Sequence, residues 1–265
     1  MIIMQMKIKL VAFDMDGTLL NSRHELPRGF FEFIENHADV KFVVASGRQY
    51  YSLLKVFEPV ADEMIFIAEN GGVIMEKGKT LHINPIKPCH VRDVLDRLRG
   101  NGGVYPVLGC ENTAYMENAP DEVIDDVRPY NARLEIIDSI DEIIDTANVL
   151  KFAAYSYKNA DKGIMPLLHG ISDELKAVLS AESWVDVINA NVNKGSAIKV
   201  IQDLYGIKKE ECAAFGDYMN DYELLQNCGE SYAMENAHED IKRIAKNIAP
   251  SNEDEGVMKT LKEIL

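Results

Sequence analysis

Positive charge is scarce in this chain. Its 265 residues include 28 lysines and arginines against 43 aspartates and glutamates, a formal net charge of −15. A nucleic-acid surface would need a basic stripe and an anionic membrane a basic face, and this balance argues against both. Cysteine is sparse as well. Cys89, Cys110, Cys212 and Cys228 form no C-x-x-C pair and no histidine-interleaved pattern, which excludes the common zinc and dithiol motifs. A chain of this length does not need disulfide staples, so reduced thiols and a cytoplasmic location are expected. No apolar run approaches the length of a membrane span. Met1-Ile2-Ile3-Met4-Gln5-Met6 is apolar, but Lys7 and Lys9 interrupt it and a strand follows at once, leaving no room for a signal peptide and its cleavage site. Internal repeats and low-complexity tracts are absent too.

What remains is a globular chain, 47% hydrophobic, with enough apolar material for one large core or two modest ones. The acidic residues crowd between Glu117 and Asp145, where they read as a solvated helix face that keeps the protein soluble. Such a composition suits a small, mobile substrate, with no obligate protein partner evident.

The chain is organised around Lys9-Leu10-Val11-Ala12-Phe13-Asp14-Met15-Asp16-Gly17-Thr18. An apolar run that stops at two carboxylates one residue apart reads as a buried strand ending where chemistry begins. In an open α/β sheet that carboxyl end is where ligands bind. Two such close carboxylates repel, so the pair is stable only with a cation between them or with one protonated. Both conditions suit an enzyme that uses one aspartate as nucleophile and the other as acid/base beside Mg²⁺. The first, third and twelfth positions of a calcium loop are also matched, by Asp14, Asp16 and Glu25, but Leu19 stands where that loop needs glycine and a strand precedes it.

Downstream, Lys41–Ala45 predicts a second strand ending in Ser46-Gly47-Arg48, and Met64–Ala68 a third ending in Glu69-Asn70-Gly71-Gly72. The Asn-Gly-Gly stretch gives backbone freedom at positive φ. It reads either as the tip of a hairpin into Val73-Ile74-Met75 or as a substrate contact. A helix opening at Pro27 and a short one from Tyr50 to Val56 complete a strand–helix rhythm that makes a parallel sheet by right-handed crossovers. From the prolines of 83–88 the pattern changes to short strands and helices, including helices expected over 141–147 and 162–171. A separate domain is therefore expected over 84–187, with residues 1–83 and 188–265 forming the other, discontinuous one. Asn193-Lys194-Gly195 then opens a helix, and Cys212–Phe215 is a strand ending in Gly216-Asp217-Tyr218-Met219-Asn220-Asp221.

Taken in order, Asp-x-Asp-Gly-Thr, Ala45-Ser46-Gly47-Arg48, Asn193-Lys194-Gly195 and Gly216-Asp217-Tyr218-Met219-Asn220-Asp221 resemble the four motifs of the haloacid dehalogenase-like phosphatases. The long insert between the second and third motifs resembles the Cof-type, class IIB, sugar phosphatases. The resemblance implies an α/β fold: a Rossmann-like parallel-sheet core with an inserted α/β cap of the C2B type that sets specificity. It implies that Asp14 attacks phosphorus and that Asp16 protonates the leaving oxygen and then activates water. Mg²⁺ would be held by the Asp14 carboxylate, the Asp16 main-chain carbonyl and Asp217. Ser46, Gly47, Lys194 and Asn220 would bind the phosphoryl group, Arg48 would support, and Asp221 would sit behind the metal or Lys194. In the cap, 109–113 and Asn189-Ala190-Asn191 are the polar stretches aimed at substrate. The chain departs from the family pattern at Asn191, where glycine is usual, and at Ser46, where many relatives carry threonine. The expected substrates are small phosphorylated metabolites, above all sugar phosphates. The rivals are a sugar phosphomutase, which returns the phosphoryl group to a hydroxyl, and a phospho-accepting regulator without turnover.

Overall fold

The computed structural model describes residues 7–157 and 160–265; the apolar opening 1–6 lies outside them. The chain divides into two compact units, one formed by the residues up to His82 together with Asn193–Leu265, the other by Ile83–Val192.

The first unit begins with β1 (Leu10–Phe13), all four residues of which are buried. Then come α1 (Phe30–Asn36), β2 (Lys41–Ala45), α2 (Tyr50–Phe57), β3 (Met64–Ala68), β4 (Val73–Glu76) and β5 (Lys79–Ile83). The helix expected from Pro27 starts only at Phe30, because Gly29 holds left-handed backbone at φ 73°. Its Phe30 and Ile34 enter the core, while Phe31 and Phe33 stay half-buried.

The second unit contains α3 (Pro88–Leu98), β6 (Val104–Cys110), β7 (Ala114–Glu117), α4 (Asp121–Val127), β8 (Leu134–Ile137), β9 (Val149–Ser156), α5 (Ala160–Gly163), β10 (Leu175–Ala181) and β11 (Trp184–Asn189). Its six strands form one sheet in the order β10-β11-β9-β6-β7-β8. One apolar cluster joins Leu95, Phe152, Ile164 and Val187, and another joins Met116, Val123, Tyr155 and Trp184. Phe152 and Tyr155 differ by an odd number along β9, so the clusters occupy opposite faces of the sheet.

Two helices expected in this unit do not form. Over 141–147 there is only a 3₁₀ turn at Ile140–Glu142, capped by Ser139, followed by turns. Ile140 and Ile144 are both buried and have helical spacing, but the β-branched Ile143, Ile144 and Thr146 weaken a helix this short. Over 162–171, Pro166 removes a backbone donor and disfavours helical backbone at the residue before it. The chain makes the four-residue α5 and then a 3₁₀ turn at Met165–Leu168. The return expected at residue 188 falls inside β11, and the compact unit continues to Val192. Asn189 accounts for this extension: its Nδ2 donates to the Asn84 and Pro85 carbonyls at 3.2 and 3.0 Å and to Asn84 Oδ1 at 2.9 Å.

The first unit resumes with α6 (Lys194–Tyr205), β12 (Cys212–Gly216), α7 (Tyr222–Gln226), β13 (Glu230–Met234), α8 (Glu239–Ile244), β14 (Asn247–Ala249) and α9 (Gly256–Ile264). Its sheet runs β14-β13-β12-β1-β2-β3-β4-β5, parallel from β14 to β3, with β4 antiparallel on β3. The strand order reverses direction between β1 and β12, the switch point at which α/β sheets bind ligands. Register makes the placement exact to the residue: Phe13 pairs with Phe215 on one side and Val44 on the other. Asp14, Asp217 and Ser46 therefore emerge within one step of the same level.

Helix α6 is anchored by its cap. The Asn193 side chain accepts from Ser196 N–H at 2.7 Å, and Ser196 Oγ accepts from Asn193 N–H at 3.2 Å. In its first turn Gly195 faces α7 so closely that a methyl group there would lie 2.4 Å from the Glu223 carbonyl oxygen. Gly195→Ala is expected to cost about 1–3 kcal/mol by overpacking, read as a lowered urea midpoint. Unchanged stability would show that α7 yields there.

Candidate active site

The site is built from four strand ends and helix starts. Asp14 follows β1, with its N–H donating to the Phe215 carbonyl at 3.1 Å. Lys194, the first residue of α6, has no exposed surface. Its Nζ donates to Asp14 Oδ1 and, at 2.6 Å, to Asp221 Oδ1. The other Asp221 oxygen accepts the N–H groups of Asp217 and Tyr218 at 3.0 and 3.2 Å, which fixes the loop after β12. Asp217 Oδ1 accepts from Thr18 Oγ1 at 2.8 Å. Carboxylate oxygens of Asp14, Asp217 and Asp221 all lie within 4.8 Å of one another.

Three carboxylates around one ammonium leave negative charge in excess. Burial pushes the Asp14 carboxyl up to about 8 against the pull of Lys194, and the Asp221 charge adds to the rise. Burial likewise raises Asp217, to about 6, against the Thr18 hydrogen bond. The Lys194 ammonium keeps its proton despite burial, because Asp14 and Asp221 raise its pKa above the ordinary lysine value. An all-oxygen cluster with surplus negative charge fits a hard divalent cation such as Mg²⁺.

Asp16 stands apart from this cluster. Its carboxylate is gripped by Arg48, from Nε at 2.9 Å and Nη2 at 2.5 Å, and is half-exposed. Arg48 thus acts on a side chain of the site itself. Ser46 is buried, and its Oγ accepts from Arg48 N–H at 3.2 Å. Gly47 lies between them. Asn220 is exposed, and its Nδ2 donates to Asn70 Oδ1 at 3.2 Å. The structure therefore gathers Asp14, Lys194, Asp217 and Asp221 in one cluster and pairs Asp16 with Arg48 beside it. In the second unit, Gly109 and Cys110 belong to β6, and Glu111 Oε2 accepts from Asn148. Asn189 donates to Asn84 Oδ1 at 2.9 Å, and the exposed Asn191 accepts from Asn84 Nδ2 at 3.4 Å.

Two residues of the site lay outside the sequence-based set. Thr18 closed the quoted Asp-x-Asp-Gly-Thr motif, and a hydroxyl there was the available signal. Asn70 is at a hairpin tip, as one of its two readings had it, and that tip also reaches Asn220.

Fold and site together define an α/β enzyme built on an aspartate cluster and one buried lysine at a topological switch point. A profile of haloacid dehalogenase-like hydrolases matches residues 11–261. The chain is 34% identical over 265 residues to 5-amino-6-(5-phospho-D-ribitylamino)uracil phosphatase YbjI of Escherichia coli, covering 98% of this chain and 97% of that one. Its fold matches TM0651 of Thermotoga maritima with a TM-score of 0.89 at 25% identity, over 97% and 98% of the two chains. It also matches a haloacid dehalogenase subclass IIB sugar phosphatase with a TM-score of 0.75 at 22% identity, over 96% and 98%. The chain belongs to the haloacid dehalogenase-like hydrolase family and is a phosphoric monoester hydrolase. Enzymes of this family generally use a divalent metal, usually Mg²⁺, which agrees with the acidic cluster. Among the described residues, no helix is long and apolar enough to cross a membrane.

Proposed function

We propose that the protein hydrolyses sugar phosphates and chemically similar small metabolites through an aspartyl phosphate on Asp14, with Mg²⁺ bound. The observation that carries this reading is the fully buried Lys194 held between Asp14 and Asp221, with Asp217 alongside. Sugar-like substrates are supported by the relative YbjI, whose named substrate carries its phosphate on a ribityl chain. Residues 83–192 would serve as the cap that selects the leaving group. The free cysteines suit a cytoplasmic enzyme.

In this mechanism an Asp14 oxygen attacks phosphorus while Asp16 protonates the departing alcohol oxygen. Asp16, now a carboxylate, takes a proton from the water that cleaves the acyl phosphate, freeing Asp14 and inorganic phosphate. The Ser46 hydroxyl, the Gly47 N–H and the Asn220 amide would face the phosphoryl oxygens, and Lys194 would supply fixed positive charge. Arg48, which contacts both Asp16 carboxylate oxygens, would hold that side chain in position. Mg²⁺ on Asp14, Asp217 and the Asp16 main-chain carbonyl, with Asp221 behind, would neutralise phosphoryl charge when bound.

The test is phosphate release from a panel of phosphorylated sugars, nucleotides and cofactors, with Mg²⁺ and with EDTA. Turnover is expected to concentrate on sugar phosphates and to vanish with EDTA. An isomeric sugar phosphate without free phosphate would indicate a mutase instead, and a long-lived phosphoprotein without turnover a regulator. Asp16→Asn is expected to slow esters of poor leaving groups most. Equal losses for activated and unactivated esters would remove Asp16 from the acid role.

Metal binding gives a second readout. To bind a cation, Asp14 and Asp217, raised to about 8 and about 6, must lose their protons. Mg²⁺ is therefore expected to raise the melting midpoint more near pH 8 than near pH 6. A shift that shrinks as pH rises would count against these two ligands.

A further inference from the structure

The tip between β3 and β4 does more than reverse the chain. Glu69 and Asn70 hold left-handed backbone at φ 50° and 53°, and Gly71 follows at φ 109°. Two consecutive non-glycine residues in that region persist only where the surroundings over-determine them. Here the surroundings are loops of the site. Asn70 N–H donates to the Ser46 carbonyl at 2.9 Å, and Glu69 N–H to the Arg48 carbonyl at 3.1 Å. The Asn70 carboxamide lies over Gly47, where a methyl group would approach its Nδ2 to 2.9 Å. Its Oδ1 accepts from Asn220. At Gly71, a methyl group would come within 2.5 Å of the carbonyl oxygen of Asn193, the residue that caps the helix of Lys194. A three-residue tip thus touches the loop after β2, the start of α6 and the loop after β12.

We infer that Asn70 is a positioning residue for phosphoryl transfer: its carboxamide orients the Asn220 amide and seats the Ser46–Arg48 loop. The inference rests on the phosphatase reading above. A side-chain amide can present its oxygen or its nitrogen in either of two senses. With one N–H donated to Asn70 Oδ1, Asn220 keeps its second N–H and its oxygen for a ligand. The contact over Gly47 works on the other side of the site, where the absence of a side chain lets the Asn70 carboxamide lie close against the Ser46–Arg48 loop. Both phosphate-facing loops are then assembled before substrate arrives, which lowers the cost of orientation in the reaction itself.

The rival account is that Asn70 is present only because asparagine tolerates left-handed backbone. Asn70→Gly separates the two, since glycine keeps the positive φ and loses the carboxamide. Kinetics would be measured on the best ester found for the wild-type enzyme in Mg²⁺, with melting curves alongside. Asn70→Gly is expected to melt with the wild type and lose about 10- to 100-fold in kcat/KM. Asn220→Ala and the double variant complete a cycle. If Asn70 acts through Asn220, the double variant is expected to be no worse than the poorer single. Wild-type kinetics in Asn70→Gly, multiplied losses in the double variant, or lost activity with a lowered melting midpoint would each overturn the inference. A wild-type enzyme that turns over no ester would instead defeat the phosphatase reading, and the inference with it, before any variant is scored.

Discussion

Asp14→Asn is expected to abolish turnover, by about 10⁴-fold or more, while the protein stays folded. The amide oxygen lacks the charge to attack phosphorus and cannot carry an acyl phosphate. The fold survives because Lys194 keeps its second partner, Asp221, at 2.6 Å, and the amide oxygen can still accept from Nζ. The substitution also removes a carboxyl whose ionisation burial opposes, raising it to about 8, so no favourable buried charge is lost with it near neutral pH. Phosphate release together with a circular-dichroism melt checks both halves. Residual turnover within tenfold of wild type would mean that the nucleophile lies elsewhere. An unfolded variant would mean that the Asp14–Lys194 pair holds the core together.

Lys194→Met is the substitution expected to cost most in stability. Methionine keeps the volume of the side chain but removes the one ammonium between Asp14 and Asp221. Asp221 and Lys194 have no exposed surface and Asp14 almost none, so two carboxylates would be left buried without their cation. Breaking one side of such an arrangement costs about 3–5 kcal/mol, far more than an exposed pair is worth. The loss should depend on pH with a definite sign. A buried carboxyl whose pKa stands above its unfolded value binds more protons in the folded state, so stability falls as pH rises through that range. The variant is therefore expected to gain stability as pH is lowered below the folded pKa of Asp14 toward the ordinary carboxylate range, and to stay at its least stable above that pKa. Adding Asp221→Asn should restore part of the deficit, because its amide oxygen can still accept from the Asp217 and Tyr218 N–H groups. Urea unfolding in EDTA at several pH values measures all three effects. A single variant as stable as wild type would show that the two carboxylates share a proton and need no cation.

Activity is expected to vanish in Lys194→Met as well, but stability separates this residue from Asp14. In the proposed mechanism Asp14 would be a reacting group whose loss the fold is expected to tolerate, whereas Lys194 would hold charge for the fold and for phosphate at once.

Much of this arrangement was readable from local pattern. The run Leu10–Phe13 ending in Asp14 and Asp16 declared a buried strand with chemistry at its end, and β1 forms there with every residue buried. Ser46, Lys194 and Asp217 each stood where an apolar stretch ended or a helix began. The clear misses, the helices over 141–147 and 162–171, fell where burial imposed a helical spacing on segments too β-branched or too proline-broken to coil.

Residue identities, the order of strands and helices and the positions of the chemical groups along the chain were local properties, carried by hydrophobic period and by the residues that end each run. The partners of those groups were not. Lys194 meets Asp14 across 180 positions, Thr18 meets Asp217 across 199, and Asn220 meets Asn70 across 150. Those contacts depend on sheet order and register, Phe13 beside Phe215 and Val44, which no periodicity encodes. Tertiary structure alone decided that Arg48 grips Asp16 and that a hairpin tip braces Asn220. Each arises where the carboxyl ends of central strands distant in sequence come together.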